Sequence, residues 1–214
     1  MENVFLEERS AHDIDKQVSK VLRDLGNPAP PLRLEIVRES LKLDRAYYSS
    51  NDHSVLQETV HRLKVGVKQI IKRPTLLWDV VRKRELKALW VPDRKRILID
   101  QELPSGKQRW GEAHEIGHSL IPWHDEMMHG DALRTLSITC EQLLEAEANY
   151  AAGRLLFLQD EFTERVRATS LSFDQVRQWS TDFGNTMTST LWRIVESVES
   201  PTFGLVSRHP NSPW

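Results

Sequence analysis

His114-Glu115-Ile116-Gly117-His118 commits this chain to a helix before any other residue is considered. The spacing H-E-x-x-H sets two imidazoles one helical turn apart on one face, where they can converge on a single metal ion with a carboxylate beside them. The chain holds 8 His and 18 Glu among 214 residues, so a shuffled sequence yields the pattern roughly 0.025 times. Chance is therefore a poor explanation. Trp110, Ala113, Ile116, Gly117, Leu120 and Ile121 run an apolar face through the motif, and Pro122 ends it. A short buried helix is predicted over about 108–121.

Two histidines are an incomplete donor set. Catalytic zinc takes three protein ligands and leaves one position to water. The best source of a third is the run from Cys140 to Leu158, where Leu143, Leu144, Ala148, Ala151 and Leu155 recur near helical period. Glu145 and Glu147 compete there. They lie about 200° apart around a helix, so only one can face the site. Asn149 favours Glu145, because it follows by four residues on the same stripe and can hold a ligand histidine by its second ring nitrogen. The expected metal ligands are His114, His118 and Glu145, with Asn149 behind them. Glu147 is read as a structural or solvent-facing carboxylate. Glu115 is the expected general base, taking a proton from an attacking water. Zn²⁺ is the expected ion, and the same ligand types accept Mn²⁺ or Fe²⁺.

The segment HEIGH followed by EAEANYAAGRLL resembles the ImmA/IrrE family of bacterial metallopeptidases, whose pattern is H-E-x-x-H and then E-x-x-A-N/D-x-x-A. The same Glu-to-Asn/Asp spacing marks the wider glutamate-ligand zincins. The resemblance runs from about Lys87 to about Ser200. It implies an α+β fold, mostly helical and zincin-like, with a small sheet beside the two motif helices. It also implies a zinc-dependent endopeptidase acting on a specific intracellular protein, a transcriptional repressor with a helix-turn-helix domain. Stress response and transcription regulation are the implied settings. The alternative is a non-proteolytic metal-binding regulator in a toxin-antitoxin or phage-control system.

Composition bounds these readings. A lone cysteine, Cys140, forms no internal disulfide, and a packing role suits it. The start MENVFLEERS lacks a signal-peptide pattern, and no apolar stretch approaches a membrane span. A cytoplasmic protein with no membrane partner is expected. Net charge is −2, yet residues 61–109 carry 14 Lys and Arg against 5 Asp and Glu. These clusters lack interleaved aromatics and read as solvated faces, and no direct nucleic-acid module is recognisable.

Residues 1–31 read as an N-terminal helix lying outside the core and a stiff linker, Asn27-Pro28-Ala29-Pro30-Pro31; residues 32–214 read as the metallopeptidase domain. Within it a helix is predicted over Leu32 to Leu43, then a polar break. Ser54 caps another helix running to Pro74, and Thr75 to Lys87 gives a further short one. Ala88 to Val91 and Ile97 to Ile99 flank Pro92-Asp93 and predict a hairpin, whose strand Lys95 to Asp100 is available as an edge for an extended substrate. Helices are predicted over Phe173 to Phe183 and Met187 to Val198, with a strand at Phe203 to Ser207. The loop from Pro122 to Thr139 is a candidate gate. In it, His124 and His129 are candidates for contacting a substrate oxyanion or a metal; outside it, near the expected final strand, His209 is a similar candidate as a transition-state donor.

Overall fold

The computed structural model describes residues 6–48, 88–91, 95–124, 138–198 and 200–204. The helices expected between Ser54 and Lys87, the Pro92-Asp93 turn, His129, the Cys140 side chain, His209 and most of the candidate gate lie outside the described residues. So does most of the expected final strand; Phe203 and Gly204, the part described, form no strand.

The chain opens with α1 (Glu8–Asp24), which buries Ile14, Val18, Val21 and Leu22 along one stripe. This corrects the expectation of a helix outside the core. Ile14 and Val18 are 0% exposed and belong to the same apolar cluster as the later helices. Four in-phase apolar residues are too much surface to leave in water. The supposed linker turns the chain back instead: Gly26 and Asn27 take left-handed backbone angles, and Leu32 just beyond the prolines is fully buried.

Helix α2 (Leu34–Leu41) ends at Lys42, whose φ of 58° breaks the helical path. The polar break expected next is preceded by a strand, β1 (Asp44–Tyr48). It pairs in parallel with β3 (Arg96–Asp100), which is antiparallel to β2 (Ala88–Val91). The predicted hairpin is present, but β3 is the central strand of the order β1-β3-β2. Both of its ladders are occupied, so it offers a substrate no free edge. Ile97, Leu98 and Ile99 are all buried, as befits a strand covered on both faces.

The motif helices follow as α3 (Ser105–Leu120) and α4 (Ile138–Leu156). They pack on each other, and Gly117 sets how closely. A Cβ there would stand 2.7 Å from the Ala148 carbonyl oxygen and 3.3 Å from the Ala151 methyl. Glycine inside a helix costs about 1 kcal/mol against alanine, so its use here is explained by the approach of the two backbones. On the other side of α3, Glu112 is buried between Arg38 at 2.5 Å and Arg45 at 2.9 Å, tying α3 to α2 and β1.

The α4 path breaks before the predicted end, because Leu158 and Gln159 adopt positive φ and redirect the chain into α5 (Asp160–Arg167). Helices α6 (Phe173–Asp182) and α7 (Met187–Ser197) match the predicted pair and are capped by the hydroxyls of Ser172 and Thr186. Phe162 meets Phe157, Phe183 and Trp179 at ring separations of 4.7, 5.1 and 5.6 Å, an aromatic cluster within the core. The architecture is a mostly helical α+β fold with a small sheet. Among the described residues, no helix is long and apolar enough to cross a membrane.

Candidate metal centre

Helical pitch brings His114 and His118 together on α3, and the Gly117 contact lets α4 deliver Glu145 to them. The imidazole Nε2 atoms of the two histidines are 3.2 Å apart. Glu145 places one oxygen 3.2 Å from His114 Nε2 and the other 3.7 Å from His118 Nε2. A tetrahedral zinc site with bonds of 2.0–2.1 Å has ligand-to-ligand edges of about 3.3 Å. The two separations of 3.2 Å match that edge and the other carboxylate oxygen stands wider, at 3.7 Å from His118 Nε2, so the donor set can take a cation of this size. Glu145 keeps 54% of its side chain exposed, which leaves the cluster open to water on that side.

The second ring nitrogens point away from the centre. His114 Nδ1 lies 3.0 Å from Asn149 Oδ1, the contact expected from the spacing of Glu145 and Asn149. Charge is arranged around this geometry. Burial disfavours the imidazolium of His114, but its hydrogen bond to Glu145 and the negative charges of Glu115 and Glu145 outweigh that and raise its pKa. For His118 burial prevails, and its pKa falls below the ordinary histidine value. The hydrogen bonds from both histidines hold the Glu145 carboxyl far below the usual carboxylate range. Glu115 is almost fully buried on α3.

The sequence matches the model of the IrrE N-terminal-like domain, a peptidase family, over residues 47–194. The chain belongs to this metallopeptidase family. Comparison with curated proteins returned no match. Among solved structures the chain is similar to a Mycobacterium tuberculosis transcriptional regulator, with 14% identity and a TM-score of 0.53 over 88% of this chain. That likeness concerns the fold. The chain spans 48% of the length of that protein.

In this member of the IrrE-like family, one expected site residue stands elsewhere. His124, a candidate for reaching substrate oxyanions or metal, is 0% exposed and faces the interior. Its Nδ1 meets His118 Nδ1 at 2.9 Å, and its Nε2 meets Glu147 at 2.8 Å. Glu147 also accepts from Trp123 Nε1 at 2.7 Å. These partners lower its pKa although burial pushes the other way. Glu147 is thus a buried structural carboxylate, as its opposition to Glu145 on the helix suggested. What spacing did not reveal is that it reaches the back of a site histidine through His124.

A cavity of ≈ 790 Å³ opens beside the cluster, lined among others by Trp110 of α3, Ala146, Asn149 and Tyr150 of α4, and Trp192 of α7. Its wall is mainly apolar side chain, and Asn149 is shared with the metal cluster.

Proposed function

We propose that the chain is a zinc-dependent endopeptidase of the cytoplasm that cuts a specific protein, a helix-turn-helix transcriptional repressor. The observation that carries the hydrolytic reading is the triangle of His114, His118 and Glu145 donor atoms, all within 4.8 Å of one another, with Glu115 on the same helix. His114, His118 and Glu145 would hold the ion. When bound, Zn²⁺ supplies Lewis acidity and lowers the pKa of a coordinated water to about 7. Mn²⁺ or Fe²⁺ is compatible with the same donors.

The remaining work falls to the chain. Glu115 takes the proton of the attacking water and returns it to the leaving amine, so one carboxyl serves as base and then acid. Asn149 accepts from His114 Nδ1 and thereby keeps the Nε2 lone pair directed at the centre. The cavity between α3, α4 and α7 offers an apolar wall to a substrate side chain next to the cluster. Narrow recognition suits an enzyme that shares its compartment with proteins it must leave intact. The repressor substrate rests on the sequence resemblance.

The test is a comparison of parent and Glu115→Gln on a co-encoded helix-turn-helix protein and on casein. The parent is expected to cut the former selectively, and the substitution to slow cleavage by about 10²–10⁴-fold while metal content stays at one ion per chain. Equal effects of both proteins on the repressor, without cleavage, would instead establish a regulator that acts by binding.

A further inference from the structure

We propose that His124 and Glu147 form a positioning relay that fixes the ring orientation and tautomer of His118 for metal binding. The inference rests on the metal reading of the cluster. It concerns a second histidine that touches no ion and no substrate.

The argument is one of atom counting. To hold a cation, His118 must present the bare lone pair of Nε2, so its ring proton sits on Nδ1. That N–H is 2.9 Å from His124 Nδ1, which must then be the acceptor. His124 carries its own proton on Nε2 and donates it to the Glu147 carboxylate at 2.8 Å. Trp123 Nε1 donates to the same carboxylate oxygen at 2.7 Å and steadies it. With both rings neutral and Glu147 ionised, one assignment of protons satisfies this row of atoms, and it leaves His118 Nε2 free toward His114 and Glu145. Reversing it would aim an N–H at the metal and leave two lone pairs facing each other.

Burial makes the assignment consequential. His118, His124 and Glu147 are each less than a tenth exposed, so water does not readily replace a missing partner. The relay also draws on the fold. His124 lies in the helical stretch that starts at Pro122, where its N–H bonds the Ile121 carbonyl, and Glu147 lies on α4 between Glu145 and Asn149. Helix α4 therefore steadies both histidines, His114 directly through Asn149 and His118 through His124. Support of this kind typically changes metal affinity by about 10–100-fold.

Three substitutions separate positioning from mere packing. His124→Phe keeps a ring but removes both nitrogen contacts. His124→Gln can still reach Glu147 but lacks an acceptor where Nδ1 stood. His124→Asn places an oxygen near that position. Co²⁺ affinity by competition, the Co²⁺ absorption spectrum and the melting temperature of the metal-free proteins are measured for each. The relay requires Co²⁺ affinity to fall about 10–100-fold in His124→Phe and His124→Gln, with an altered spectrum, and to recover substantially in His124→Asn. Parental affinity and spectrum in all three, with only the melting temperature lowered, would overturn it and leave a packing role. A parent that binds no Co²⁺ or Zn²⁺ would defeat the metal reading itself, a separate result. Nitrogen NMR of the metal-free parent gives a check that needs no substitution: His118 must carry its proton on Nδ1, and finding it on Nε2 overturns the relay.

Discussion

Helix α4 makes one seam with α3 and another with α1, and the two are built by unlike means. Toward α3 the contact is backbone against backbone, with Gly117 set against Ala148 and Ala151 at distances that admit no extra atom. Toward α1 it combines ordinary apolar burial with a polar latch. Asp15 accepts from Arg154 at 2.5 Å and from Tyr150 at 3.1 Å, and its carbonyl accepts from Gln159 at 2.8 Å. The first seam sets where Glu145 stands against the histidines, so it is made of groups with no rotamers to shift. The second only has to keep α1 attached, and long side chains suffice.

The sharpest way to break this contrast is to add volume at the tight seam. Gly117→Val is expected to force α3 and α4 apart, since its Cβ would begin 2.7 Å from a main-chain oxygen that has no rotamer to escape into. The expected cost is about 3 kcal/mol, the upper part of the overpacking range. Zinc affinity should fall with it by about 100-fold or more, because Glu145 moves away from the histidines. Denaturant unfolding and zinc stoichiometry together check this. A folded protein with one tight zinc would show that the seam has slack.

Removing volume at the other seam should separate folding from metal. Ile14→Ala deletes a fully buried side chain of α1 and is expected to cost about 2–5 kcal/mol. In the fraction that remains folded, metal affinity should equal that of the parent. A large fall in affinity would mean that α1 sets the geometry of α4 after all.

The same contrast explains what could be read from sequence. His114 and His118 are joined by one helical turn, and Glu145 and Asn149 by another, so local pitch alone relates the members of each pair. The structure brings the two pairs together, and the short side chains that permit it, Gly117 and Ala148, stand inside the motifs themselves. The relay of His124 and Glu147 was not legible, because it depends on how the turn after Pro122 folds back on a helix 23 residues away. Nor was the place of α1. Its stripe announced an apolar face but not the face it meets, and Asp15 finds Arg154 across 139 residues. Strand β1 escaped notice for a different reason. Asp44-Arg45-Ala46-Tyr47-Tyr48 has no alternating apolar face, and its parallel ladder to β3 supplies what side-chain pattern does not.

At the site, acidity distinguishes the two histidines. The pKa of His114 is raised by Glu145 and Glu115 against its burial, whereas burial lowers that of His118. A proton and a metal compete for each Nε2, so affinity must fall as pH falls. As pH drops below the raised His114 value, the expected loss is about tenfold per unit, since one proton is being displaced. It steepens to about a hundredfold per unit only below the depressed His118 value. Glu145 adds nothing in this range, because its carboxyl stays ionised far into acid. Competition titrations with a chromophoric chelator across pH would give the slope. Two protons leaving together at one pH would contradict the separation of the two rings.

The smallest effect belongs to the latch on α1. Burial, with the neighbouring Asp15 charge and hydrogen bond, pushes the Tyr150 phenol up to about 12. Its value in the unfolded chain is about 10. A group whose pKa is raised by folding adds stability that is fully present below the unfolded value and is lost as pH climbs through the folded one. The contribution should therefore hold up to about pH 10 and fade toward about pH 12, leaving neutral solution untouched. Ultraviolet titration can isolate it, because the chain has only 3 tyrosines. One of them should ionise late in the parent, and that late phase should vanish in Tyr150→Phe. Asp15→Asn should move it earlier, since it removes the charge that disfavours the phenolate while keeping a group of similar shape. Metal affinity should be the same in all three proteins at neutral pH. If all the tyrosines ionise together near 10, or if Asp15→Asn leaves the late phase where it was, the phenol is not held by the α1 seam and the latch reduces to Arg154 with Asp15.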